Sequence, residues 1–118
     1  MKRIVLVTGG FDPIHSGHIE YFNSAKRFGD ELIVGLNSDE SVKRIKGEDR
    51  PVVNQDDRKK MLLALDFVDD VIIFEENTPL DLINKIKPDI ITKGGDYKKE
   101  DVVGHDVVKK TVIIPLLD

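Results

Sequence analysis

The sequence predicts a doubly wound α/β fold on a five-stranded parallel sheet, and three observations lead there. Five short β-branched runs, Ile4 to Val7, Leu32 to Leu36, Val71 to Phe74, Ile90 to Thr92 and Val112 to Leu116, alternate with segments of helical periodicity. The runs are continuously apolar, as strands buried on both faces require. The stretches between them are helix-length with short joins, which suits right-handed crossovers between parallel neighbours. Ligands of such folds gather beyond the carboxyl ends of the strands, where the winding reverses.

After the first strand, His18, Tyr21, Phe22, Ala25 and Phe28 fall on one helical face and Gly29 supplies a stop, so His18 stands at the inward-facing start of that helix. Ser38 caps a second helix with Asp39 and Glu40 in its first turn, favourable to the dipole, and Gly47 marks its frayed end. Asn54 caps a third, on which Arg58 heads an apolar stripe of Met61, Leu62 and Leu65. Thr78-Pro79-Leu80-Asp81 reads as a cap followed by a first-position proline, and Lys87-Pro88 closes this fourth helix. No repeat, linker or low-complexity tract interrupts the 118 residues, so residues 1–118 are expected to form a single domain.

Composition narrows the function classes. The 18 basic and 22 acidic side chains leave a net charge of −4 with no basic run, which argues against binding long nucleic acid. No cysteine is present, so thiol nucleophiles, disulfides and cysteine-ligated zinc are ruled out, and a reducing cytoplasm is compatible. The four apolar residues Ile4 to Val7 are far too few for a signal peptide or a membrane span, and a soluble, unprocessed protein is expected.

Three polar clusters sit at predicted strand ends. In the first, Gly9-Gly10-Phe11-Asp12 leads through His15 to His18 at the helix entrance; glycines admit a ligand to the backbone, and a helix start favours an anion. His15 and His18, three apart, can both donate hydrogen bonds to phosphate oxygens. A turn histidine beside a helix-end histidine is the plainer alternative, and Asp12, His15 and His18 together form a possible metal trio. In the second cluster, Asp39 can accept from a ribose hydroxyl or merely serve the helix start. Lys46, loosened by Gly47, can swing onto a triphosphate or simply be solvated with Lys43 and Arg44. Arg58, at the head of its stripe, suits phosphate or carboxylate recognition. The third cluster is Lys93-Gly94-Gly95-Asp96-Tyr97. Its amides can reach a base edge, Asp96 can accept from base or sugar, and Tyr97 can cover an apolar ring; a tight turn is the alternative. His105 reads as an exposed residue of a polar stretch.

The string Gly9 to His18 resembles the G-x-F-D-x-x-H-x-G-H signature of the cytidylyltransferase-like nucleotidyltransferases. Asn37-Ser38-Asp39, Lys46-Gly47, Arg50-Pro51-Val52, Asp57-Arg58 and Lys93 to Tyr97 extend the likeness over nearly the whole chain, most closely to the nucleotidyltransferase half of bifunctional heptose-phosphate enzymes. The resemblance implies a Rossmann-like fold, a homodimer, and transfer of a nucleotidyl group, with AMP favoured, from ATP or CTP and Mg²⁺ to a sugar or polyol phosphate. By the same resemblance His15, His18 and Lys46 are catalytic. Gly9, Gly10, Phe11, Asp12, Asp39, Arg58, Lys93, Gly94 and Asp96 bind the nucleotide, and the metal is held only through its phosphates. Two departures stand out: Val7 occupies a position where relatives often carry threonine, and the sequence given stops at Pro115 to Asp118, where they continue into a phosphate-binding G-x-S-T-T segment. Rival readings are a cytidylyltransferase acting on glycerol 3-phosphate, an ATP enzyme acting on nicotinamide mononucleotide, and a nucleotide-binding regulator without catalysis.

Overall fold

A computed structural model describes residues 2–95 and 97–114; Met1, Asp96 and Pro115 to Asp118 lie outside the described residues. The strands are β1 (Ile4–Gly9), β2 (Glu31–Asn37), β3 (Asp70–Phe74), β4 (Ile90–Gly94) and β5 (Lys110–Ile114). They form one all-parallel sheet in the order β3-β2-β1-β4-β5. The chain winds outward through β2 and β3, then crosses over to β4 and β5, so the winding reverses between β1 and β4. The Rossmann-like α/β expectation holds.

Alternate strand residues feed two cores. Val5, Val7, Leu32, Val34 and Leu36 face α1 (Ser16–Lys26) and α3 (Gln55–Leu63), packing against Phe22, Ala25 and Leu62. Leu6, Ile33 and Ile91 face the other way, against Leu82 and Ile83 of α4 (Leu80–Ile86) and Val102, just past a short 3₁₀ turn at Lys99–Asp101 that sequence periodicity does not reveal. Helix α2 (Asp39–Lys46) stands at the carboxyl edge of β2 and buries Ser41 and Val42.

Two of the three predicted caps form. Ser38 accepts from the Ser41 amide and Asn54 from the Asp57 amide. Thr78 does not cap α4: Pro79 is the N-cap residue, with no side-chain cap bond, and the helix begins at Leu80. Helix α1 ends at Lys26, before Gly29, although Phe28 still packs on the core. In α3, Arg58 and Leu62 are buried but Met61 is 45% exposed, so the apolar stripe is narrower than its spacing suggests. Strand β5 starts two residues earlier than predicted, at Lys110, because Lys110 pairs with Ile90; Leu116 lies outside the described residues. Among the described residues no helix is long and apolar enough to cross a membrane.

Carboxylates tie down the amino ends of the central strands. Asp89 accepts from the Ile4 amide at 2.9 Å, and Asp69 accepts from the Leu32 amide at 2.8 Å while pairing with Lys26. The Ile4 amide, with help from Lys109, holds Asp89 below the usual carboxylate range. Burial pushes Asp69 up, but Lys26 and the Leu32 amide outweigh it and the net shift is downward. A carboxyl group with a depressed folded pKa contributes stability above its unfolded value of 3.8 and loses it as pH falls through the folded value. Urea midpoints should therefore fall steeply below about pH 4, and a midpoint holding constant down to about pH 2.5 would contradict this role for the two aspartates.

Candidate nucleotide site

The carboxyl ends of β1, β2 and β4 open on a cavity of about 550 Å³. Its floor is Thr8 and Gly9 at the end of β1 and Gly10 just after it, with Tyr21 of α1 beside them. Tyr21 is fixed by a 2.8 Å hydrogen bond between its hydroxyl and that of Thr92 on β4, and burial pushes its pKa up to about 12. Asn37, Val42, Ile45, Lys46 and Arg50 form one wall; Lys93, Gly94 and Tyr97 form the other.

The turn is shaped by two glycines. Phe11 has φ +48°, a left-handed conformation unusual for a bulky residue, and its ring lies back over Gly9, where a Cβ would sit 2.8 Å from Cζ. A Cβ on Gly17 would come 2.9 Å from the His15 ring. Small residues at both places let the aromatic rings close on the backbone.

Those rings fix the two histidines. His15 is the N-cap of α1, and its Nδ1 accepts from the Gly17 amide at 3.1 Å. The His18 Nδ1 in turn accepts from the His15 amide at 3.3 Å, completing a capping box made of two imidazoles. The rings stack with centroids 3.7 Å apart, and Phe11 meets His18 edge-on at 5.2 Å. Since a backbone N–H can only donate, each Nδ1 must carry a lone pair; in the neutral imidazole the proton then sits on Nε2. Two Nε2–H donors are thus prepared at the start of a helix. Burial, and then the neighbouring His15, hold the His18 pKa below its ordinary 6.5, so His18 is neutral at pH 7. His18 lines the cavity; His15 does not, but its ring is exposed and stacks directly on that of His18.

The other expected residues divide. Gly9, Gly10, Phe11, His18, Lys46, Lys93 and Gly94 meet around one cavity, and Asp12 joins them at its edge. Asp96 lies outside the described residues. Arg58 and Asp39 do not line the cavity, and bonding geometry explains why. Arg58 is 0% exposed; its Nε donates to the Val53 carbonyl, Nη1 to the Gly10 and Asn37 carbonyls, and Nη2 to Asp39, at 2.7 to 2.8 Å. The arginine recognises a carboxylate of its own chain: Asp39 Oδ1 is its partner, while the Asp39 side chain stays 38% exposed.

Asp12 is also drawn inward. Its carboxylate accepts from the Val52 and Val53 amides, each at 2.7 Å, and from Arg50, leaving the side chain 4% exposed. Burial raises its pKa, but those two amides and Arg50 outweigh it and hold the group below the usual range. The metal trio of Asp12, His15 and His18 does not form: Asp12 and both Nδ1 atoms are engaged by amides, and among the described residues no three such ligands converge.

Sequence reasoning missed Val42, Ile45 and Arg50 as wall residues and gave Asn37 no role beyond its place in the second cluster. The Arg50-Pro51-Val52 string carried the only signal for Arg50. Lys93 places its ammonium 5.0 Å from the centre of the Tyr97 ring, which joins two residues of the third cluster into one wall.

Residues 6–112 match the sequence profile described as cytidylyltransferase-like. The bifunctional protein HldE of Campylobacter concisus is 54% identical over 117 residues, 99% of this chain and 25% of that protein. HldE of Campylobacter jejuni serotype O:6 is 58% identical over 113 residues, 96% of this chain and 24% of that protein. The chain thus spans about a quarter of the length of these curated relatives. Among solved structures, the lipopolysaccharide core biosynthesis protein of Thermoplasma volcanium superposes with a TM-score of 0.85 at 30% identity, covering 100% of both chains.

Proposed function

Because the chain belongs to the cytidylyltransferase-like family, we propose that it transfers a nucleotidyl group, AMP in preference, from a nucleoside triphosphate to a sugar or polyol phosphate, with heptose 1-phosphate the favoured acceptor. The observation that carries this reading is the stacked histidine pair: both Nδ1 atoms are tied to backbone amides, so both Nε2 donors are preset where a glycine turn meets a helix. Polyphosphate is the guest that such donors and a helix start suit. Lys93 and Tyr97 offer a cation and an aromatic face for the nucleoside.

In the reaction an oxygen of the acceptor phosphate attacks the α-phosphorus, a new P–O bond forms in line, and the bond to the β-phosphate oxygen breaks to release pyrophosphate. His15 and His18 donate to oxygens on which negative charge grows, and Lys46, exposed at the end of α2, closes on them from the other wall. Gly9 to Phe11 hold the backbone close beneath. Magnesium carried on the triphosphate supplies further charge neutralisation. The residues present suit a metal held by phosphate oxygens, since the Asp12 carboxylate is already engaged by two amides.

Pyrophosphate release measured across ATP and CTP, each with heptose 1-phosphate, glycerol 3-phosphate and nicotinamide mononucleotide, tests this directly. ATP with heptose 1-phosphate should turn over fastest. Nucleotide binding without pyrophosphate from any pair would overturn the transfer reading.

A further inference from the structure

We propose that Arg50 receives the phosphate of the acceptor, an assignment that rests on the nucleotidyl-transfer reading above. The two arginines near the glycine turn are built differently. Arg58 is fully buried and bonded through all three of its nitrogens to protein oxygens. Arg50 donates through Nη1 to the Asp12 carbonyl at 3.0 Å and to the Asp12 carboxylate at 3.4 Å, yet its side chain remains 43% exposed and lines the cavity. An ordinary surface arginine would be held by little. Here the backbone on both sides of Arg50 is fixed: its own amide donates to the Gly47 carbonyl at 3.1 Å, and the Val52 and Val53 amides are locked to the Asp12 carboxylate. The guanidinium is therefore presented at a set place beside the turn that carries the histidines.

Which phosphate it meets follows from the division of the cavity. Two anionic phosphates must approach each other, so cations are needed on both flanks of the histidines. Lys93 stands on the β4 side together with Tyr97, the aromatic face suited to a nucleoside. Arg50 stands on the opposite wall, in the connection between α2 and α3. With the nucleoside on the β4 side, the second substrate lies against the Arg50 wall, and a planar guanidinium matches a phosphate monoester through paired N–H donors. Lys46, on the same wall, is the last residue of α2 and carries a single ammonium rather than a planar fork, so it follows the triphosphate.

The test is steady-state pyrophosphate release with ATP, Mg²⁺ and heptose 1-phosphate, and separately glycerol 3-phosphate, for the wild-type chain, Arg50→Ala and Arg50→Lys, with ATP binding followed by calorimetry. Arg50→Ala should raise the acceptor KM by about thirty- to a hundredfold while the ATP KM moves by less than about threefold. Arg50→Lys should fall between, because a point charge replaces the fork. Equal rises in both KM values would make Arg50 a strut of the turn and overturn the assignment, as would an unchanged acceptor KM beside normal wild-type turnover. Failure of the underlying reading looks different: the wild-type chain would bind no ATP, or bind it and release no pyrophosphate with either acceptor, and the Arg50 assignment would fall with it.

Discussion

His18→Ala lowers turnover by about a hundredfold or more while the fold survives. The imidazole it removes lines the cavity, and its Nε2–H is fixed in direction by the His15 amide on one side and by Phe11 and His15 rings around it. A donor preset in this way stabilises developing charge without reorganising, which is why losing one is felt in turnover. The same substitution also deletes half of the capping box of α1, at a cost of about 1 kcal/mol. His18→Asn separates the two effects, since its side-chain oxygen can still accept from the His15 amide. Stability should largely return and turnover should not. Wild-type turnover in a folded His18→Ala protein would remove His18 from the chemistry.

Arg58→Ala is expected to act on stability first. Its guanidinium satisfies three backbone carbonyls and the Asp39 carboxylate from a fully buried position. Truncation leaves those oxygens without donors and opens a void, and the loss should be about 3–5 kcal/mol. Asp39 is 38% exposed, so water recovers part of its share and the carbonyls carry most of the cost. Against a total stability of about 5–15 kcal/mol, this is enough to lower the urea midpoint markedly. Arg58→Lys should recover little, because one ammonium cannot serve Val53, Gly10, Asn37 and Asp39 in their fixed directions. A variant as stable as wild type that has lost ATP binding would instead make Arg58 a phosphate ligand.

Local patterns were legible in the sequence wherever neighbours along the chain decide the outcome. The apolar runs located all five strands, and Ser38 and Asn54 found their helices because a cap bonds an amide three residues away. The glycine turn and the histidine pair were legible for the same reason: their bonds run between residues 15, 17 and 18. What the sequence concealed depends on distant partners. Asp12 reads as a ligand-binding carboxylate until Val52 and Val53, 40 and 41 residues on, supply its amides. Arg58 reads as a phosphate arginine until Gly10, 48 residues earlier, supplies a carbonyl. Both bridge the glycine turn to the α2–α3 connection, a pairing that no spacing rule along the chain encodes. Thr78 failed as a cap because the chain enters helical geometry one residue later than proline at the first position implies.

The imidazole nitrogens can be observed directly, by long-range ¹H–¹⁵N correlation of the histidines at pH 7 with and without ATP and Mg²⁺. His15 and His18 should both appear as Nε2–H tautomers before ligand is added, and their Nε2 signals should shift as ATP saturates. His105, whose Nδ1 lies 3.0 Å from the Val102 carbonyl away from this cavity, should stay where it is. Nδ1–H tautomers at residues 15 and 18, or Nε2 signals unmoved by saturating ATP, would contradict the account at its centre.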